Sequence, residues 1–76
     1  MDWHDRIVVN PKILVGKPVI KGTRLAVEFI LELLAERWNH EQILKSYPQL
    51  NEEDIWAVLQ YAADTIKQER VYPLTV

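Results

Sequence analysis

The basic stretch at residues 16–24 is the part of this sequence whose residue types and spacing could perform chemistry. It reads GKPVIKGTR and holds both glycines of the protein. Residues 6–27 contain five Lys or Arg and no Asp or Glu, whereas residues 28–76 contain four basic and nine acidic residues. This charge split predicts that the N-terminal segment contacts an anion or pairs with the acidic remainder of the chain.

Phosphate binding is the first chemistry to consider where lysines stand beside glycines. A P-loop requires Gly-Lys-Ser/Thr leading directly into a helix. Here Lys17 and Lys21 stand directly before Pro18 and Gly22, and the residues between them are typical of a strand. We therefore interpret the two glycines as turn residues at either end of a short strand. The net charge of −2 also argues against indiscriminate binding of nucleic acid.

Groups suited to catalysis or metal binding are sparse. The chain has two His and no Cys, so its sequence indicates neither a Ser-His-Asp set nor a Cys-based site. His4 lies beside Asp2 and Asp5 and could bind a metal ion, but a solvated acidic terminus is the simpler interpretation. The carboxylates at 52–54 suit the first turn of a helix, where the dipole favours anions. We predict a non-catalytic protein with no cofactor and no metal.

Two short β-branched runs precede a helical body. Residues 6–9 end at the turn signal Asn10-Pro11, and residues 18–21 are closed by Gly22. Together they predict a two-stranded unit, which must pack on helices or pair across a dimer to be stable.

The first predicted helix runs from about residue 26 to residue 37. It is apolar around most of its circumference, which indicates burial by more than one neighbour. Glu28, Glu32 and Glu36 form its only acidic stripe. Carboxylates at this spacing repel one another, so a cation should lie nearby, and Arg24 is one candidate partner for Glu28.

Two further helices are predicted. One starts after Asn39, with Gln42 placed to complete a capping box, and ends before Pro48. The other starts after Asn51 and fades near Arg70. Its predicted core stripe follows an i, i+3, i+4 pattern and consists of Ile55, Val58, Leu59, Ala62, Ala63 and Ile66.

The predicted fold class is mainly α: a three-helix, helix-turn-helix-like (homeodomain-like) domain preceded by a short two-stranded β-arm. We expect one domain over residues 1–76, divided into a β-arm at 5–25, a three-helix body at 26–70 and a C-terminal tail at 71–76. The apolar fraction of 49% is high for a small solvated monomer, which predicts a homo-oligomer, with a homodimer expected, or a subunit of a complex. With no signal peptide, membrane span or cysteine visible, we predict a cytoplasmic protein with no membrane partner.

Several motifs follow one another along the chain: Asn10-Pro11, GKPVIKGTR at 16–24, EQIL at 41–44, YPQL at 47–50 and EDIWAVL at 53–59. This series resembles the domain-of-unknown-function 433 family of small bacterial proteins over roughly residues 5–70. Val15 and Ala26 depart from it, because the family commonly has a small residue and a proline there. The resemblance implies a helix-turn-helix fold. Because family members often sit beside genes for PIN-like nucleases, it also implies a VapB-type antitoxin.

The antitoxin hypothesis holds that the chain binds and neutralises a PIN-like ribonuclease and also binds operator DNA. Surplus apolar surface on the first helix and the tail would form the contact. The candidate partner-binding residues are Phe29, Leu33, Val71, Tyr72, Leu74 and Val76. The alternative is that the first helix is the central core helix and that the tail packs within a homodimer.

The second hypothesis is a stand-alone DNA-binding regulator. The third predicted helix would be the reader, but its opening carboxylates would face phosphates. The basic arm is therefore the preferred DNA contact, doubled in a dimer, and its candidate residues are Lys12, Lys17, Lys21 and Arg24. The alternative is a solvated strand pair in which Arg24 pairs with Glu28. An enzyme is the third hypothesis, with only scattered carboxylates to support it.

Overall fold

The computed structural model describes residues 2–68, which form a small strand pair followed by three helices. Strands β1 (Ile7–Val9) and β2 (Pro18–Ile20) are antiparallel, with Val8 opposite Val19. The helices are α1 (Val27–Ala35), α2 (His40–Ser46) and α3 (Glu52–Gln68). The predicted fold class is confirmed, including the β-arm that precedes the helical body.

Two of the three helices begin with reciprocal caps that use the residues beside their first turns. At α2, the Gln42 amide donates to the Asn39 side chain and the Asn39 amide donates to the Gln42 side chain, both at 2.8 Å. This confirms the predicted capping box. At α3, Asn51 and Asp54 make the same exchange at 3.0 Å. The predicted end of the third helix near Arg70 lies outside the described residues.

The core lies between the strand pair and the three helices. Its fully buried large side chains come from every one of these elements: Val19 and Ile20 from β2, Ile30 from α1, Ile43 from α2, and Ile55 and Val58 from α3. Trp38, between α1 and α2, is partly buried and packs against this core. α1 also buries Val27 and Leu33, which makes it a central core helix.

The buried face of α3 differs from the predicted stripe. Ile55 and Val58 are fully buried as predicted, but Leu59 is 44% exposed and Ile66 is 55% exposed. Ala57 is fully buried instead. The short N-terminal turn at Trp3–Asp5 causes this difference. Trp3 packs edge-on against Tyr61 and donates from Nε1 to Asp64 at 2.7 Å. These contacts turn the buried face by roughly a quarter of the helix circumference toward Tyr61.

The loop that joins β1 to β2 contains three successive residues with positive φ. They are Leu14 at 49°, Val15 at 56° and Gly16 at 78°. Gly22, after β2, has a φ of 82°, so both glycines serve the turns predicted for them. Left-handed backbone is unfavourable for a β-branched residue, and Val15 is 95% exposed, so no burial offsets the strain.

Replacing Val15 with asparagine is expected to raise the free energy of unfolding by about 1 kcal/mol, because asparagine tolerates the left-handed region. Urea unfolding followed by circular dichroism measures the change. Val9→Asn is the control, since Val9 is 60% exposed in an ordinary strand. Asparagine there should be neutral or mildly destabilising. Equal effects at the two positions would contradict the strain assigned to Val15.

Candidate functional site

The β-arm carries the predicted nucleic-acid-binding lysines at opposite ends of its sheet. Lys12 lies in the turn after β1, where its amide donates to the Asn10 side chain at 2.9 Å. Lys21 follows β2, and its amide donates to the carbonyl of Arg6 at 2.8 Å. Because β1 and β2 pair along their whole length, the sheet separates Lys12 from Lys21. The basic residues therefore form an extended distribution along the arm.

Lys17 is paired within the chain, and its partner corrects one sequence prediction. Its Nζ lies 2.5 Å from Oε1 of Glu28, so Glu28 is paired with Lys17 and not with Arg24. The hydrogen bond and charge of Glu28 raise the pKa of Lys17 above its ordinary value. A bridge between Val19 and Ala26 returns the chain alongside β2, which brings the first turn of α1 to Lys17.

The other three predicted cations remain available to an external anion. Lys12, Lys21 and Arg24 are exposed. Among residues 2–68, none of the three forms an ion pair. Charges spread along an arm suit a polyanion with regularly spaced phosphates better than a single phosphate group.

Arg6 is the structurally important cation that the sequence analysis did not single out. Its Nη1 donates to Asp54 at 3.0 Å and, more weakly, to Asn51 at 3.4 Å, while Nη2 donates to Glu53. Asp54 is only 7% exposed, and its second oxygen accepts the Asn51 amide. The acidic first turn of α3 is thus bound to the β-arm. No local sequence signal joins groups so distant in the chain.

A surface groove of about 530 Å³ opens beside the same turn of α3. Its lining combines an acidic rim with two apolar side chains: His40, Glu52, Glu53, Trp56 and Leu59. On the rim, Nδ1 of His40 lies 2.6 Å from a Glu52 carboxylate oxygen. The groove therefore presents carboxylates next to Trp56 and Leu59, which favours an apolar ligand surface with an adjacent positive charge.

The N-terminal histidine contacts one of the two carboxylates considered with it. Nδ1 of His4 lies 2.6 Å from Oδ1 of Asp2. Hydrogen bonds from the His4 amide and then from its ring hold the pKa of Asp2 below its ordinary value. Within residues 2–68, no three His, Asp or Glu side chains are grouped so that they could hold a metal ion.

The predicted partner-binding residues on α1 are packed inside the fold. Leu33 is 6% exposed and belongs to the core. Phe29 is half-buried, with its ring 5.5 Å from that of Tyr47 in an edge-on arrangement. Both placements favour the alternative in which the first helix serves the core. The other four candidates lie outside the described residues: Val71, Tyr72, Leu74 and Val76.

Exposed apolar side chains occur at two other places. On the β-arm they are Val9, Leu14 and Val15, which we call the arm tip. On α3 they include Trp56, Leu59 and Ile66. Scattered apolar residues on a surface are normal, but neighbouring ones indicate an interaction surface. The exposed side of α3 was not predicted because helical spacing assigned Leu59 and Ile66 to the core, and the arm tip was not among the predicted contacts.

The element order and packing define a small helix-turn-helix-like domain with an N-terminal β-arm. The chain belongs to the family described as protein of unknown function (DUF433), whose model matches residues 7–62. It is also similar to an uncharacterised protein of Archaeoglobus fulgidus, with 62% identity over 24 residues. That alignment covers 32% of this chain and 67% of the archaeal protein. No solved structure matches the chain.

The family match spans both strands, α1, α2 and more than half of α3. It therefore includes Lys12, Lys17, Lys21 and Arg24, but it begins directly after Arg6 and ends before Ile66. Over residues 2–68, no helix has the combination of length and apolar composition that crossing a membrane requires.

Proposed function

We propose that this chain is the antitoxin of a toxin–antitoxin pair and that it binds and neutralises a PIN-like ribonuclease in the cytoplasm. The observation that carries the proposal is the arm tip. Val15 is 95% exposed on a left-handed backbone and follows Leu14, which is 42% exposed, while Val9 at the end of β1 is 60% exposed. Strained backbone and neighbouring exposed apolar side chains both occur preferentially where a protein binds something.

The arm tip is a better candidate for the toxin contact than α1. The apolar residues of α1 are used in the core, so exposing Leu33 to a partner would require the domain to open. The arm tip needs no such rearrangement. Lys12 is exposed in the same loop, and a second open groove is lined by Leu14, Val15, Lys17, Ala26 and Glu28. A partner with an apolar surface and nearby carboxylates fits these features.

Co-expression with the product of the neighbouring reading frame tests the proposal. The neighbour carries the only affinity tag, and retention of this chain is measured together with growth of the host. The antitoxin proposal expects a neighbour that is toxic alone, growth rescue by this chain and stable retention. A toxic neighbour that neither retains this chain nor is neutralised by it would overturn the proposal.

A matched pair of double variants tests whether the arm tip is the surface that contacts the toxin. Leu14→Asp with Val15→Asp is expected to abolish retention, because two carboxylates replace the apolar contact. Ser46→Asp with Gln49→Asp adds the same charge at exposed positions near the end of α2 and should leave retention intact. Circular dichroism verifies that both variants remain folded. Retention of the arm-tip variant would move the toxin contact elsewhere.

Operator DNA binding is the second candidate function, supported by the exposed cations of the arm. Lys12, Lys21 and Arg24 have no ion-pair partner in the part of the chain that the structure describes. The first turn of α3 is less suited than the arm to contact DNA. Its first-turn carboxylates are held by Arg6 and His40, and their charge opposes that of phosphate.

The DNA candidate predicts a steep dependence on salt. If two copies each contribute three phosphate contacts, the affinity for the upstream duplex should fall about 10³-fold between about 50 and 200 mM salt. Fluorescence anisotropy measures this slope. Alanine at Lys12, Lys21 and Arg24 together should abolish binding. Lys45→Ala, on α2, is the single-charge control and should leave the slope unchanged. A salt-independent affinity would contradict phosphate contact by the arm.

A further inference from the structure

One side of α3 carries apolar side chains that no other described element covers. We call Trp56, Leu59, Ala63 and Ile66 the α3 stripe. Their spacing places them on one side of the helix, away from fully buried Val58. Trp56 is 38% exposed, Leu59 44% and Ile66 55%, and Ala63 is also exposed. The stripe is therefore a continuous apolar surface on a well-formed helix.

The α3 stripe is complementary to itself when a second helix runs in the opposite direction. Trp56 and Ile66 are equally distant in sequence from Tyr61, and so are Leu59 and Ala63. An antiparallel pair with its twofold axis at the level of Tyr61 places Trp56 opposite Ile66 of the second copy. It also places the larger Leu59 opposite the small Ala63. Such a two-fold contact uses the same surface on both copies and closes after two.

The charges at the two ends of the stripe favour the same orientation. Glu52 lies at its N-terminal end, and Lys67 lies at its C-terminal end. In the antiparallel pair, Lys67 of the second copy comes within reach of Glu52. The groove lined by Glu52, Trp56 and Leu59 then receives the Ile66 side chain of the second copy. A parallel pair would instead place Glu52 against Glu52.

We propose that two copies of this chain form a dimer by antiparallel packing of their α3 stripes. The spacing of four side chains, their exposure and the charge at each end all support one occupant, a second copy of α3. This dimer is independent of the proposed function, because the arm tip and the basic arm lie outside the α3 stripe. Loss of the dimer and loss of toxin binding are therefore separately measurable.

Sedimentation equilibrium of the full chain tests the proposal with a matched pair of variants. Ala63→Arg places a charge in the centre of the stripe. Gln68→Arg adds the same charge at an exposed position on the opposite side of α3. The first is expected to raise the dimer dissociation constant at least about tenfold, and the second less than about twofold. Equal effects of the two variants would overturn the proposed surface.

A charge exchange tests the antiparallel orientation. Glu52→Lys and Lys67→Glu should each weaken the dimer, and the double variant should recover most of the affinity because the attractive pair is restored in reverse. Absence of recovery would overturn the orientation. A full chain that remains monomeric at every concentration would overturn the dimer itself.

Discussion

Replacing Arg6 with alanine is expected to lower the free energy of unfolding by about 2–3 kcal/mol. Asp54 is only 7% exposed and would lose the guanidinium that faces it at 3.0 Å. Glu53 would lose its partner as well, and the β-arm would lose its polar attachment to α3. A buried carboxylate left without its counter-charge is costly, because desolvation is no longer offset. Urea unfolding followed by far-UV circular dichroism measures the loss.

Two companion variants separate the contribution of the buried Arg6–Asp54 contact from that of the exposed Arg6–Glu53 contact. The Glu53 side chain is 54% exposed, so Glu53→Gln should cost less than about 1 kcal/mol. Adding Asp54→Asn to Arg6→Ala removes the unpaired charge, so the double variant should be more stable than the sum of the single effects. Strict additivity, or equal losses for Arg6→Ala and Glu53→Gln, would contradict the role assigned to the Arg6–Asp54 contact.

Replacing Ile30 with alanine is expected to be the more damaging change, with a loss of about 2–5 kcal/mol. Ile30 is fully buried on α1, where the strand pair and α3 both pack. Domains of this size have total stabilities of only about 4–11 kcal/mol, so the variant should be partly unfolded near body temperature. Thermal unfolding monitored by circular dichroism measures the shift in midpoint.

A graded series identifies the cause of this loss. Ile30→Val removes one methylene and should cost about 0.5–1.5 kcal/mol, because the remaining side chain still fills most of the site. A loss for alanine no larger than the loss for valine would show that the core closes around the missing atoms. That result would contradict the close packing inferred for α1.

Local signals in the sequence predicted most of the fold. The capping residues Asn39 and Gln42 determine the start of α2 through bonds that span only a few residues, so their pattern is visible in the chain. The same holds for the glycines, whose positive φ values follow from local turn geometry. β-branched runs and the turn signals that close them likewise predicted both strands, since these depend on neighbouring residues.

The failures share a different origin, because each depends on contacts between distant residues. The face that α3 buries is set by Trp3, which binds Asp64 across 61 residues. The partner of Glu28 is set by the return of the chain along β2, which brings Lys17 closer than Arg24. Helical periodicity indicates that an apolar face exists, but it does not specify which neighbour covers it.

The candidate site was predictable only in part for the same reason. Residue type alone identified the four cations of the arm, and all four are exposed as an interface requires, although Lys17 is paired with Glu28. Composition could not show that Arg6 is bound to Asp54 or that Leu33 is enclosed in the core. It also could not reveal the α3 stripe, because apolar spacing on a helix is equally consistent with burial and with exposure.

The bonds from the N-terminal segment to α3 have a consequence for biosynthesis. Arg6 is separated by 48 residues from Asp54, and Trp3 by 61 from Asp64. During translation, the first residues leave the ribosome long before the helix that they contact. The β-arm therefore cannot form its native contacts until most of the chain has been synthesised. The strand pair is too small to be stable alone. Contacts that span so much of the sequence slow folding, so the nascent arm is exposed to other molecules in the interval.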